Sequence, residues 1–232
     1  AVTSNSVTIT GGTVAANSTS PDIIGGQSDS GAATSNYVSI TGGTVDVTTS
    51  GSSNGKIIGG WSAKGLASNN SVNISGGTIT ADEIIGGLSS GGPDGTGGNG
   101  NSVNISGGSI TAKQIYGVDG YGGNNTINIS GDAKLNDSVA LYGSNQTVGD
   151  NLKNNILNLG YDGTTGTASS WAGGTVLGLN NFSAVNYWAI PWTKGGTYLK
   201  VTDCIRGVSS FDFSNMTLTG TSTMGLGDTM TL

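Results

Sequence analysis

The chain of 232 residues contains 43 glycines, 34% apolar residues and 9% charged residues. Glycine costs about 1 kcal/mol in a helix interior, so this composition excludes a mainly helical protein. The 14 acidic and 8 basic residues give a net charge of -6, which excludes the basic surface on which nucleic-acid binding depends. We therefore expect an all-β protein that has no nucleic acid among its partners.

The first predicted strand is a V-x-I-[ST] string that recurs along the chain. Its copies begin at Val7, Val38, Val72, Val103 and Ile127, with a weaker copy at Leu157. The intervals between successive copies are 31, 34, 31, 24 and 30 residues. Alternation of apolar and polar residues is typical of a half-buried strand, so Val72 and Ile74 are predicted to face inward and Asn73 outward.

Two further strands complete each predicted unit. The second follows a Gly-Gly pair, which suits a sharp corner, and contains Val14, Val45, Ile79, Ile110 and Leu135. The third is an I-I-G string or a relative of it and begins at Ile23, Ile57, Ile84, Ile115, Leu141 and Val176. Three short strands in each of about six units predict a right-handed parallel β-helix with coils of roughly 31 residues. We assign residues 1–180 to these repeats, and residues 181–232, which are rich in aromatic side chains, to an atypical terminal coil or cap that continues the β-helix.

The polar residues between the inward positions of the first strands predict a neutral outer ladder. We expect this ladder to face water, and such ladders on two molecules can interlock through many weak hydrogen bonds. It is our hypothesis for a self-association surface, and its members are Thr8, Ser39, Asn73, Asn104 and Asn128.

The connections after the third strands differ most between units and are rich in Gly, Ser, Asn and Asp, which predicts loops. Loops at one repeat position stack on one side of a solenoid, and that side is often the binding face. The candidate binding residues are Trp61, Lys64, Asp94, Asp119 and Tyr121. The rings of Trp61 and Tyr121 can stack on a sugar or anchor a protein, or they can fold back over their own loops.

The sequence contains few of the residues that metal binding or catalysis would need. The acidic loop at Asp94 leaves a calcium site open, but we predict no metal ion and no cofactor. Polysaccharide-cleaving β-helices need paired carboxylates, or a base with cationic stabilisers and often a metal ion, gathered on one face. Here Glu83 is the only glutamate, Arg206 is the only arginine, and Asp82, next to Glu83, is expected on the opposite face of the strand. We therefore expect no catalytic residue and no enzymatic activity. Three carboxylates meeting in a groove would favour the enzyme alternative.

Several strings of this chain resemble a known family. They are the T-I-x-G-G-x-V and I-I-G-G repeats, an N-F-x-x-x-N-Y-x-x-x-P segment at residues 181–191, and Y-L-K-V-T-D at residues 198–203. Their style resembles passenger regions of Gram-negative autotransporter adhesins. The resemblance implies a secreted β-helix on the bacterial cell surface, carried by a C-terminal barrel in the outer membrane, with roles in cell adhesion, biofilm formation and virulence.

The resemblance also shapes the expected partners. Since neither a signal peptide nor a barrel is present in the sequence, we expect a piece of a longer protein whose membrane link is the missing barrel. Its partner is then another copy on a neighbouring cell, or a host glycan or protein. The alternative is an inert stalk that presents another domain.

Overall fold

The computed structural model describes residues 1–15, 21–48, 54–91, 97–146, 154–220 and 229–231. These residues form strands and contain no helix. The first ten strands are β1 (Val2–Thr3), β2 (Ser6–Ile9), β3 (Thr13–Ala15), β4 (Asp22–Ile24), β5 (Gln27–Ser28), β6 (Ala33–Thr34), β7 (Tyr37–Ile40), β8 (Thr44–Asp46), β9 (Lys56–Ser62) and β10 (Ala67–Ser68). The next six are β11 (Ser71–Ser89), β12 (Ser102–Asp119), β13 (Thr126–Ile129), β14 (Lys134–Leu135), β15 (Ala140–Ser144) and β16 (Ile156–Leu159). The last eight are β17 (Tyr161–Asp162), β18 (Thr167–Ala168), β19 (Gly174–Asn180), β20 (Ala184–Tyr187), β21 (Ala189–Pro191), β22 (Leu199–Arg206), β23 (Phe211–Asp212) and β24 (Thr217–Thr219).

Parallel strands stack in the predicted rows and confirm the solenoid, which has about six turns. The first row pairs Val7, Val38, Val72, Val103, Ile127 and Leu157 in succession. Two further strands that the repeat pattern did not reveal, β20 and β23, continue this row through Val185 and Phe211. The inward side chains of the three rows form one continuous apolar core, as β-branched residues on a pleated surface do.

The corners after the first strands depend on glycine, as predicted. Gly77 has a φ of 93° and Gly108 a φ of 88°, in the left-handed region that side chains with a Cβ rarely adopt. Each of these corners leads directly into the second row, where Ile79 pairs with Ile110. The Gly-Gly pair therefore sets the direction of the second strand.

The predicted alignment of the last third strand was wrong. Leu141 pairs with Leu179, and Val176 pairs with Val201. The reason is that β19 carries two row positions in one strand, with an irregular step in its pairing between Val176 and Gly178. A count from the sequence repeat cannot show that two strands have merged.

The segments that follow the third strands are more regular than loops. Gln27 pairs with Trp61, and Trp61 with Leu88, while Ala33 pairs with Ala67 in a separate sheet formed by β1, β6 and β10. We call residues 61–69 and their equivalents in the neighbouring coils the arms. Small buried side chains such as Ser62 and Ala67 let the arms stack on one another, coil by coil.

Candidate binding face

The third row and the arms meet along an external corner that is filled by a second apolar cluster. Ile57 points into the main core, so the next residue, Ile58, points outward, yet it is buried. The outer cluster, as we call it, consists of Ile58, Ile85 and Tyr116, with Ile24, Trp61, Leu88 and Tyr142 packed against it. Because the arms cover outward side chains, one side of the rod carries an apolar seam that the period of two does not predict.

Glycines bring the arm close to the next coil. A Cβ on Gly60 would lie 2.2 Å from Oδ1 of Asn70, and a Cβ on Gly59 would lie 2.4 Å from the carbonyl oxygen of Gly86. Only a residue without a side chain fits at these two positions. The I-I-G-G string therefore encodes the junction between the third strand and the arm.

Trp61 lies in this corner, half-buried against the outer cluster. It shares its row with Gln27, Leu88 and Asp119. Its Nε1 atom is buried and has no hydrogen-bond partner among the described residues. The indole therefore does fold back against its own coil, while part of the ring remains at the surface.

Three carboxylates surround Lys56, which the sequence did not indicate. Lys56 Nζ forms an ion pair with Glu83 and lies 3.9 Å from Oδ2 of Asp119, while its backbone N–H donates to Oδ1 of Asp22 at 3.0 Å. Burial raises the pKa of Asp119, and the negative charge of Glu83 adds to that shift. Burial also raises the pKa of Asp22. The register of stacked coils brings together acids that are far apart in sequence.

These acids are engaged by other groups and do not form a metal cage. Glu83 Oε1 accepts a hydrogen bond from Asn54 Nδ2 at 2.6 Å, and the Asp82 carboxylate pairs with Lys113 at 2.6 Å. Asp82 and Glu83 thus turn to different partners, as neighbours in a strand should. Within the described residues, no group of three histidine, cysteine or acidic side chains is placed to hold a metal ion.

A pocket of about 450 Å³ opens beside this cluster. Its lining comes from three successive coils, at residues 88–91, 119–121 and 145–146. Asp119 accepts a hydrogen bond from Asn145 Nδ2, and Asn145 Oδ1 accepts one from the backbone N–H of Gly120 at 3.0 Å. These bonds hold both polar side chains in place at the pocket wall.

The predicted binding residues are only partly brought together. Asp119 and Tyr121 line the same pocket, Trp61 lies in the adjacent corner, and Lys64 is exposed outside the pocket lining. Asp94 lies outside the described residues. The sequence did not point to two other polar residues of the pocket lining, Asn145 and Gln146. They follow β15, which pairs with β12 in the third row. Asn145 and Gln146 could have been predicted from the sequence, because they stand at the end of a third-row strand, as Asp119 does.

The hypothesis of a continuous exposed ladder was wrong for its later members. Thr8 is exposed, and Ser39 and Asn73 are half-buried. Asn104 and Asn128, by contrast, are buried, with only 7% and 5% of their surface exposed to solvent. The antiparallel hairpin of β17 and β18 covers them, since a Cβ on Gly163 would lie 2.1 Å from Oδ1 of Asn104. The amides bond to one another instead, with Asn128 Nδ2 donating to Asn104 Oδ1 at 2.6 Å.

A second pocket, of about 470 Å³, lies among the aromatic residues of the last coils. Its lining is apolar and includes Leu199, Phe211 and Phe213. Tyr187 stacks on Phe213 with ring centroids 4.8 Å apart. This region has few polar groups to orient a ligand, so it is a weaker candidate than the pocket at Asp119.

Comparison with protein-family models, with curated proteins and with solved structures finds no match to this chain. Among the described residues there is also no helix with the length and apolar character needed to span a bilayer. The functional argument therefore depends on the geometry of the binding face.

Proposed function

We propose that this β-helix is part of a bacterial cell-surface adhesin of the autotransporter type, and that it attaches to a glycan or protein through its arm side. The observation that supports this most is the pocket at Asp119, which is assembled from three stacked coils. A site shared by several coils can recognise a ligand while each coil contributes only a few residues.

The arm side favours binding over the role of an inert stalk. A stalk needs only the buried rows, whereas here Trp61, Tyr121 and Tyr142 remain partly exposed along one side. Aromatic rings in such positions supply contact area at a low cost in conformational entropy. A stalk remains the alternative, in which these rings only pack against the arms.

Attachment to a ligand is favoured over contact between copies. Asn104 and Asn128 are covered and already hydrogen-bonded, so a ladder contact would depend on Thr8, Ser39 and Asn73 in the first coils. That leaves a short polar strip on which few intermolecular hydrogen bonds can form, each contributing about 0.5 to 1.5 kcal/mol.

The test is to display this chain on an otherwise non-adherent bacterium and to measure both settling and attachment to host cells. An unrelated β-helix of equal length is the control. We expect attachment above the control, without rapid settling. Rapid settling that disappears when displaying cells are diluted among bare cells would establish contact between copies instead, and neither effect would indicate a stalk.

A polysaccharide-active enzyme is the second candidate, because Asp22, Glu83 and Asp119 converge on Lys56. Its test is the release of reducing ends from soluble polysaccharides by the purified protein, with Glu83→Gln as the matched variant. Release that this substitution abolishes would support the enzyme. We expect no release, since these carboxylates are engaged by Lys56 and Asn54.

A further inference from the structure

We propose that the pocket between Asp119 and Tyr121 binds one or two units of a neutral saccharide. This inference rests on the proposed function, and it names the ligand class of that same site. The volume of about 450 Å³ falls within the range of small-molecule sites, roughly 300 to 1,000 Å³.

The lining groups match a ligand that is rich in hydroxyls. The side chains of Ser90 and Tyr121 offer hydroxyl groups, and those of Asn145 and Gln146 offer amides, whereas the buried Ser89 hydroxyl already donates to the carbonyl of Gly65 at 3.1 Å. Such groups both donate and accept hydrogen bonds, as sugar hydroxyls do.

The charge of the pocket argues against an anionic ligand. Among the lining residues that the structure describes, Asp119 is the one acidic residue, and none is a lysine or arginine. The ammonium of Lys56 is already engaged by Glu83 and Asp119. A carboxylated or sulfated sugar would therefore meet the Asp119 carboxylate, and no described lining residue supplies a further cation to pair with the negative charge of the sugar.

The pocket is preorganised, which lowers the entropic cost of binding. Asp119 is fixed by Asn145 on one side and by Lys56 on the other, and Asn145 is fixed by the backbone of Gly120. Gly120 has a φ of 131°, and a Cβ there would lie 2.4 Å from the carbonyl oxygen of Ser89. A side chain at Gly120 would therefore displace the neighbouring coil.

Apolar contact comes from Leu88 and from the ring of Tyr121 at the edge of the pocket. The C–H face of a sugar ring packs on such surfaces, while its hydroxyls point to the polar wall. Asp119 and Tyr121 are two residues apart in one coil, so the polar and the apolar contacts come from the same segment of chain.

The experiment uses saturation-transfer NMR of the purified chain with glucose, galactose, mannose and N-acetylglucosamine as neutral probes, and sialic acid as the anionic probe. We expect transfer to at least one neutral sugar and none to sialic acid. The variants Tyr121→Ala and Asn145→Ala should weaken that binding by about tenfold. The control Tyr37→Ala, at an exposed tyrosine of β7, should leave it unchanged. Thermal unfolding curves show whether each variant still folds.

Absence of transfer to all four neutral sugars, or equal transfer to sialic acid, would overturn the inference. So would binding that Tyr121→Ala and Asn145→Ala leave unchanged although both variants fold. Attachment of displaying cells is scored separately. If cells attach but the chain binds no sugar, the adhesin proposal stands and the saccharide site is rejected. If the chain binds sugar but cells do not attach, the saccharide site stands and the adhesin proposal is rejected.

Discussion

Oδ1 of Asn101 accepts hydrogen bonds from both the backbone N–H and the side-chain Nδ2 of Asn70, at 3.0 and 3.1 Å. The same pair of bonds links each coil to the next along an inner ladder of fully buried asparagines. The members of this inner ladder are Asn36, Asn70, Asn101, Asn125 and Asn155. Each stands just before a first-row strand, at the place where the arm returns to the rod. The amides replace the backbone partners that an irregular turn would otherwise lack.

The first prediction concerns this ladder. Asn101→Ala should lower the free energy of unfolding by about 2 to 5 kcal/mol, because it leaves the backbone N–H of Asn70 and the carbonyl of Ala67 buried without partners. Urea unfolding followed by circular dichroism measures the loss. The matched control is Asn215→Ala at an exposed asparagine, which should change stability by less than about 0.5 kcal/mol. Equal effects of the two substitutions would contradict a structural role for the ladder.

The second prediction concerns the inward and outward faces of the first row. Ile74→Ala should cost about 2 to 5 kcal/mol, because the side chain is buried in the main core and its loss leaves a cavity. Asn73→Thr should cost less than about 1 kcal/mol, since Thr8 and Ser39 occupy the same position in the preceding coils. It removes the bond from Asn104 Nδ2 to Asn73 Oδ1, but Asn104 Nδ2 keeps Ser102 Oγ as an acceptor at 3.3 Å. Thermal or urea unfolding of both variants tests the assignment of faces. Similar losses in stability would show that the two side chains are not segregated as described.

The rows of the solenoid could be predicted from the sequence because their signals are local and repeated. Apolar residues such as Val72 and Ile74 alternate with polar residues in the first-row strands, and glycines equivalent to Gly77 stand at the corners of other coils. The site could not be predicted in the same way, since Lys56, Glu83 and Asp119 meet only through the register of stacked coils.

Insertions account for the other failures of sequence reasoning. Within the part of the chain that the structure describes, the hairpin of β17 and β18 occurs once, so no repeat reveals that it covers Asn104 and Asn128. The arms likewise differ in length from coil to coil and are rich in residues typical of loops. For these reasons the sequence does not reveal that they pair regularly. The inner asparagine ladder did carry a signal, because an asparagine directly precedes six first-row strands, counting the exposed Asn5 before β2.

The third prediction tests the junction between the third strand and the arm. Gly59→Ala should destabilise the fold by about 3 kcal/mol, because the new Cβ would lie 2.4 Å from the Gly86 carbonyl oxygen and 2.6 Å from that of Ser71. These are backbone atoms that cannot move without opening the stack. Gly11→Ala is the matched control, since a Cβ there would meet nothing within 4 Å. If both variants unfold at the same urea concentration as the wild type, β9 does not pass so close to its neighbours.

The fourth prediction concerns Asp119, whose pKa is raised above the ordinary 3.8, chiefly by burial. Since the folded chain then holds this proton more tightly than the unfolded chain, protonation stabilises the fold. That stabilisation is complete below about pH 3.8 and is lost as the pH rises through the raised pKa. Asp119→Asn carries no charge at any pH, so the stability of this variant relative to the wild type should be greatest near pH 7 and should decline towards about pH 4.

Asp46 provides the contrast for that measurement. Hydrogen bonds from the side chain and backbone of Thr48 lower the pKa of Asp46, so its contribution to stability is present above 3.8 and disappears as the pH falls through the lowered value. Urea unfolding of the wild type, Asp119→Asn and Asp46→Asn between about pH 4 and pH 7 separates the two cases. The difference for Asp46→Asn should stay constant from about pH 7 to pH 5, while that for Asp119→Asn should shrink as the pH falls through the raised pKa of Asp119. A difference for Asp119→Asn that does not vary with pH would mean that this carboxyl is as well solvated in the folded chain as in the unfolded one.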